Sequence, residues 1–264
     1  MGGQQYMMPK DYVDEVVNGL FEDAVDPRIS VVGVGGAGGN VVSALYDRDV
    51  KGVETVAVNT DPAGLSKAEA DYKVLLPHTE GEDRIAAART SAETAEGPLK
   101  DSLSSDIVFV VAGLGGAAGT GAAPVVARTA RASGAVTIAI GILPFDMEGR
   151  TDAAKAGLEE LRREADSLIV VDNNSLDKFA DQLSFNEALQ VVNHMVITIV
   201  QGVVDHLAKS FLTTVAEEVE NVAREIEDQN ANAVRMEVEP SETVHAAWEV
   251  DPVVFDDNGF IGLR

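Results

Sequence analysis

The sequence predicts an α/β fold, a Rossmann-like parallel sheet with helices on both faces. Short apolar segments recur near 29–34, 54–58, 72–76, 107–112, 135–141 and 167–171, separated by stretches of helical periodicity. Strands that alternate with helices form parallel pairs through crossover connections. Two of these strands end in glycine-rich turns that open into helices, ISVVGVGGAGGN at 29–40 and IVFVVAGLGGAAGTGAAP at 107–124. The 264 residues, 45% hydrophobic with few aromatics, suffice for one substantial core and a small second unit.

Residues 1–27 are expected to form an N-terminal arm or helix, in which Val13, Val16, Val17, Leu20 and Phe21 would share one face opposite acids and pack on their own domain. Residues 28–184 hold the sheet. Within them LPFDMEGRTDAAK (143–155) supplies a third loop at the strand ends, closed by Pro144 and Gly149. Residues 185–210 are apolar almost all round, which predicts a buried central helix against the sheet edge, interrupted by Asn193, His194 and Gln201. The remainder, 211–264, reads as a second amphipathic helix carrying Phe211, Leu212, Val215, Val219, Val222 and Ile226. A hairpin follows, with Val234, Met236 and Val238 opposite Val244, Ala246 and Trp248.

A net charge of −24, from 44 acids against 20 bases, predicts no nucleic-acid surface, which needs a basic footprint, and no direct binding to anionic lipid. Acids spread along the whole chain suit a protein kept hydrated in concentrated salt, where screening removes self-repulsion. Without cysteine there are no disulfides and no thiolate chemistry. The absence of a signal peptide and of an apolar run of about eighteen residues predicts a cytoplasmic protein without a membrane span. His78, His194, His206 and His245 form no constellation with metal-ligand spacing.

The glycine loops carry the chemistry. Gly35, Gly36, Gly38 and Gly39 permit close backbone approach, so amides at a helix start can point at an anion. Alone, this loop followed by the strand TVAVNTD also fits the dinucleotide fingerprint of an NAD-type oxidoreductase. The second loop, with Gly115, Gly116, Gly119, Thr120 and Gly121, is superfluous in that fold. Two loops imply two grips on one phosphate chain.

Together GVGGAGGN, AVNTD, GLGGAAGTGAAPVVA, PFDMEGR and the VQG of the long helix resemble the FtsZ/tubulin family of filament-forming GTPases, in the same order over residues 28–205. The resemblance implies a cofactor, GTP or GDP, lying across the strand ends of 28–184. Gly35, Gly36, Ala37, Gly38, Gly39 and Asn40, with Gly119, Thr120 and Gly121, would hold phosphates through backbone amides. It places Asn59, Thr60 and Asp61 at phosphate and magnesium, Glu148 at the ribose, and Asn173 and the middle of the long helix around sugar and base.

The departures from the family pattern fall where it does its chemistry. The expected GGGTGTG is GGAAGTG here, which removes a hydroxyl at Ala118. The glycine-rich loop after the third strand is replaced by LLPHTEGEDRIAAAR, which predicts poor discrimination of diphosphate from triphosphate. Asp152 stands where the family has an arginine, with Arg150 as the replacement cation. In the long helix His194 and Leu189 occupy the base-reading and ring-stacking positions, and Asn193 offers both a donor and an acceptor to a base. The acidic NxDxxD loop that positions water is absent.

These features predict a nucleotide-binding cytoskeletal protein of cell division or cell shape, forming or regulating filaments, with weak or lost hydrolysis. The expected partners are further copies of the chain or another FtsZ-like protein. The alternative is a working GTPase that receives its catalytic acids from another subunit.

Overall fold

The computed structural model describes residues 27–238 except 51 and 180–183. Six parallel strands form one sheet in the order β3-β2-β1-β4-β5-β6. They are β1 Ile29–Val34, β2 Val53–Asn59, β3 Tyr72–Leu75, β4 Ile107–Gly113, β5 Val136–Leu143 and β6 Ser167–Asp172. Each lies within two residues of its expected position. Runs of valine and isoleucine set them, because branched side chains pack well on a pleated surface buried on both sides.

Successive strand residues point to opposite faces, and each face has its own core. Val32, Val34, Val108 and Val110 pack with α4 (Glu96–Ser102), α6 (Ala123–Ala132) and α7 (Thr151–Glu164) through Leu99, Val126 and Leu161. On the other face Val31, Phe109, Val111 and Ile140 pack with Val41, Val42 and Leu45 of α1 (Gly35–Tyr46) and with Val192, Val196, Ile197 and Val200 of the last helix. Short helices at Pro62–Lys67 (α2), Arg84–Thr94 (α3) and Ala117–Gly121 (α5) complete the set before α8, Phe185–Val238.

Three expectations about this last helix are corrected. It is continuous from Phe185 to Val238, so the second amphipathic helix is its extension, and Val234, Met236 and Val238 are helical and not a hairpin strand. It lies on the face of the sheet and not against its edge. It is also buried on one side only, with Val191, His194 and Thr198 exposed. By length and composition alone Phe185–Leu207 is apolar enough to cross a membrane, contrary to the sequence expectation. The stripe Val192 to Val204 seated on the sheet accounts for that apolar character. The expected helix at 13–21 and the second strand of the hairpin lie outside the described residues.

By compactness the chain divides into a body at Phe21–Thr213 and a unit of Met1–Leu20 with Thr214–Arg264, of which the helical residues 214–238 are described.

The starts of β1 and β4 are tied by Asp106. Its carboxylate accepts from the Arg28 backbone N–H at 2.9 Å and from the Arg28 guanidinium at 3.4 Å, which holds its pKa below the ordinary aspartate value. An acid whose pKa is lowered by folding contributes stability above its unfolded pKa and loses it as pH falls through the folded value. Asp106→Asn is therefore expected to flatten the acid limb of the melting temperature against pH below about pH 4, while leaving the neutral limb parallel to wild type.

Candidate functional site

Strands β1, β2 and β3 progress to one side of the sheet and β4, β5 and β6 to the other. The switch point therefore lies between β1 and β4, paired with Val34 beside Ala112, and ligands of open α/β sheets bind at the carboxyl ends there. Both glycine loops emerge at that point, and missing side chains let them interlock. Gly35 has φ +74°, a left-handed conformation that favours glycine, and a Cβ on it would lie 3.2 Å from the Gly119 nitrogen. A Cβ on Gly119 would lie 2.1 Å from the Gly113 carbonyl oxygen, and one on Gly113 would lie 2.6 Å from the Ala37 Cβ.

A cavity of about 470 Å³ opens over the joined loops, within the range of about 300–1,000 Å³ usual for small-molecule sites. Gly35, Gly36, Ala37 and Asn40 of the first loop line it, with Gly116, Ala117, Ala118 and Gly119 of the second. Asn59, Thr60 and Asp61 enter from the end of β2. Glu148 and Arg150 enter after β5, and Asn173 after β6. Leu189 and Asn193 close the wall from α8.

Several of these polar groups are already held by local bonds. The Asp61 carboxylate caps α2, accepting from the N–H groups of Ala63 at 3.1 Å and Gly64 at 3.0 Å. Glu148 accepts from the Phe145 N–H at 2.9 Å and pairs with Arg150. Asn174 fastens the β5 and β6 loops to each other, its Oδ1 accepting from the Asp146 N–H at 2.8 Å and its Nδ2 donating to the Pro144 carbonyl at 3.3 Å. Asn173 differs in being both buried and unpartnered. It is only 3% exposed, and its Oδ1 has no hydrogen-bond partner. A buried acceptor left unpaired in a cavity wall is suited to a donor from a ligand.

Six of the residues expected at the site do not line this cavity. Gly38 lets α1 lie against β4, since a Cβ there would be 2.4 Å from the Val111 carbonyl oxygen. Gly39 is buried beside Ala68. Gly115, with φ +89°, makes room for Arg150. Gly121 seats the start of α3, because a Cβ there would be 2.1 Å from the Ile85 carbonyl oxygen. Thr120 is buried beneath the second glycine loop. Its N–H donates to the Gly116 carbonyl at 3.0 Å, and its hydroxyl accepts from the Gly115 N–H at 2.8 Å, which ties the residue to the loop itself and leaves the hydroxyl proton to donate. His194 is exposed and stands 3.0 Å from the Arg48 guanidinium, which also donates to Gln201 at 3.3 Å, so it does not read a base in this cavity.

Phe185 and Arg84 are among the residues of the wall that were not anticipated. Phe185, one turn before Leu189, faces the cavity and is 47% exposed, with its ring 5.5 Å from Phe145 at an interplanar angle of 51°. The sequence does carry a signal for it in Ser-Phe-Asn-Glu, a capping box that starts the helix at this phenylalanine. Glu187 accepts from the Ser184 hydroxyl at 2.6 Å and the Ser184 N–H at 2.8 Å, and these bonds lower its pKa. Arg84 comes from LLPHTEGEDRIAAAR, the segment that replaces the glycine-rich loop after the third strand.

Comparison with known proteins matches residues 28–181 to the Tubulin/FtsZ family, GTPase domain. The chain is 40% identical over 217 residues to cell division protein FtsZ 2 of Haloferax volcanii, covering 78% of this chain and 54% of that protein. To FtsZ 2 of Halobacterium salinarum it is 41% identical over 195 residues, covering 71% and 49%. Among solved structures an FtsZ dimer from M. jannaschii superposes with a TM-score of 0.67 at 34% identity, covering 75% of this chain and 59% of that one. The chain thus spans about half the length of the curated relatives it matches. With the GTPase domain matched across the sheet, both glycine loops and the β6 end of the cavity, the chain belongs to the Tubulin/FtsZ family.

Proposed function

We propose that the chain binds a guanine nucleotide in the cavity over the two glycine loops and serves a cell-division cytoskeleton, forming or regulating filaments with weak hydrolysis. The observation that carries this reading is the meeting of the loops at Gly35 and Gly119 beneath a wall that contains the unpartnered Asn173 acceptor. Free amides of the Gly35–Ala37 and Gly116–Gly119 turns would hold phosphates. Phe185 and Leu189 would cover a heterocycle, while Asn173 and Asn193 would bond its edge or the sugar. Asp61, already oriented by its cap, stands where magnesium would accompany the phosphates. Weak hydrolysis is supported by the helical residues 205–238, which contain no acidic NxDxxD loop. The relatives named as cell division proteins support the process, and further copies or another FtsZ-like chain are the partners it implies.

Calorimetric titration with GTP, GDP, ATP and NAD, at high salt with magnesium, tests this directly. Guanine nucleotides are expected to bind and NAD is not, with phosphate release far below the about 10 s⁻¹ typical of enzymes. Tighter binding of NAD than of GTP would overturn the assignment.

A further inference from the structure

A second cavity, of about 530 Å³, adjoins the first and shares Thr60, Asp61, Arg84 and Ala117 with it, then continues past Thr79 and Ser91. It lies at the β2 and β3 end of the site, whereas Asn173 lies at the β6 end. Four interstrand steps of about 4.8 Å separate β2 from β6, roughly 19 Å in all. That span accommodates an extended ligand with a heterocycle at one end and a chain of phosphates at the other. If the heterocycle rests on Phe185 and Leu189 and the inner phosphates on the glycine turns, the last phosphate reaches the mouth of the second cavity.

One cation waits there. Among the described residues Arg84 is the only lysine or arginine lining the second cavity, and the other cation of the first, Arg150, is paired with Glu148. Among the arginines whose side chains are described, Arg84 alone makes neither an ion pair nor a hydrogen bond. It is the first residue of α3, so its charge opposes the positive end of that helix dipole. Breaking a local rule in this way is expected where a residue serves a ligand. Its position is fixed from the other side, because the bare Cα of Gly121 lets the second glycine loop close on the Ile85 carbonyl, one residue after Arg84.

We propose that Arg84 binds the terminal phosphate of a nucleoside triphosphate and sets the preference for triphosphate over diphosphate. This rests on the nucleotide reading above, and it reverses the sequence expectation of poor discrimination. Asp61 and Glu80 also face the second cavity, so without the guanidinium its charge would repel a third phosphate.

The test is calorimetric binding of GTP and GDP, at one fixed salt and magnesium concentration, to wild type, Arg84→Ala and Arg84→Lys. Wild type is expected to favour GTP. Arg84→Ala should lose about 10-fold in GTP affinity with GDP affinity unchanged, and Arg84→Lys, which keeps a point charge without the planar fork, should fall between. Equal loss for both nucleotides, or no loss for either, overturns the role of Arg84 and leaves nucleotide binding standing. A wild type that binds neither nucleotide overturns the nucleotide reading itself. Arg84 is exposed, so all three proteins should share one circular dichroism spectrum.

Discussion

Gly36→Val is expected to lower affinity for GTP and GDP at least about 100-fold without lowering the melting temperature, whereas Gly119→Val lowers both. The contrast follows from what surrounds the two glycines. A Cβ on Gly36 meets nothing within 4 Å, its φ is ordinary, and it lines the cavity, so a valine there displaces only a ligand. Losing two charge-assisted amide bonds to phosphate, each worth about 1.5–3 kcal/mol, accounts for the fold-change. Gly119 is different because its added Cβ falls 2.1 Å from the Gly113 carbonyl oxygen. Overpacking of this kind costs about 1–3 kcal/mol, or a few degrees of melting temperature at about 2–4 °C per kcal/mol. Differential scanning fluorimetry beside calorimetry separates the two variants. Unchanged affinity in Gly36→Val would move the phosphate site away from the first loop.

Asn173→Leu is expected to raise stability while weakening binding. Its buried Oδ1 has no partner, and an unsatisfied buried acceptor costs about 1–3 kcal/mol, so a similarly sized apolar side chain relieves the free protein by up to that amount. The same change removes the acceptor offered to the ligand, for an expected loss of about 10-fold in affinity. Urea unfolding and calorimetry on one preparation read both signs. An asparagine with a purely structural role would lose stability on substitution and leave affinity alone.

The sheet was legible in the sequence because buried parallel strands are near-continuous apolar runs, and the glycine turns marked which strand ends carry the site. Five loops and one helix converge on the cavity as the order of motifs implied, from Gly36 through Asn59, Gly116, Glu148 and Asn173 to Leu189. What the sequence could not supply was rotation and continuity. Asn193 and His194 are neighbours in sequence, yet on a helix adjacent residues point about 100° apart, so one faces the cavity and the other faces Arg48. Composition likewise does not reveal that the Thr120 hydroxyl accepts from the amide five residues back. Alternation in Val234, Met236 and Val238 suggested a strand, but over so few residues a two-residue period does not distinguish strand from helix.

The interlock of the two loops also constrains how the chain can vary. Ala37 and Gly113 are far apart in sequence, yet together they have room for a single methyl group, with 2.6 Å between the Ala37 Cβ and the one Gly113 lacks. Alanine at 113 is tolerable only beside glycine at 37, so drift at either position is conditional on the other. The close approach of the two loops is thus a shared property of two segments that must evolve as one unit.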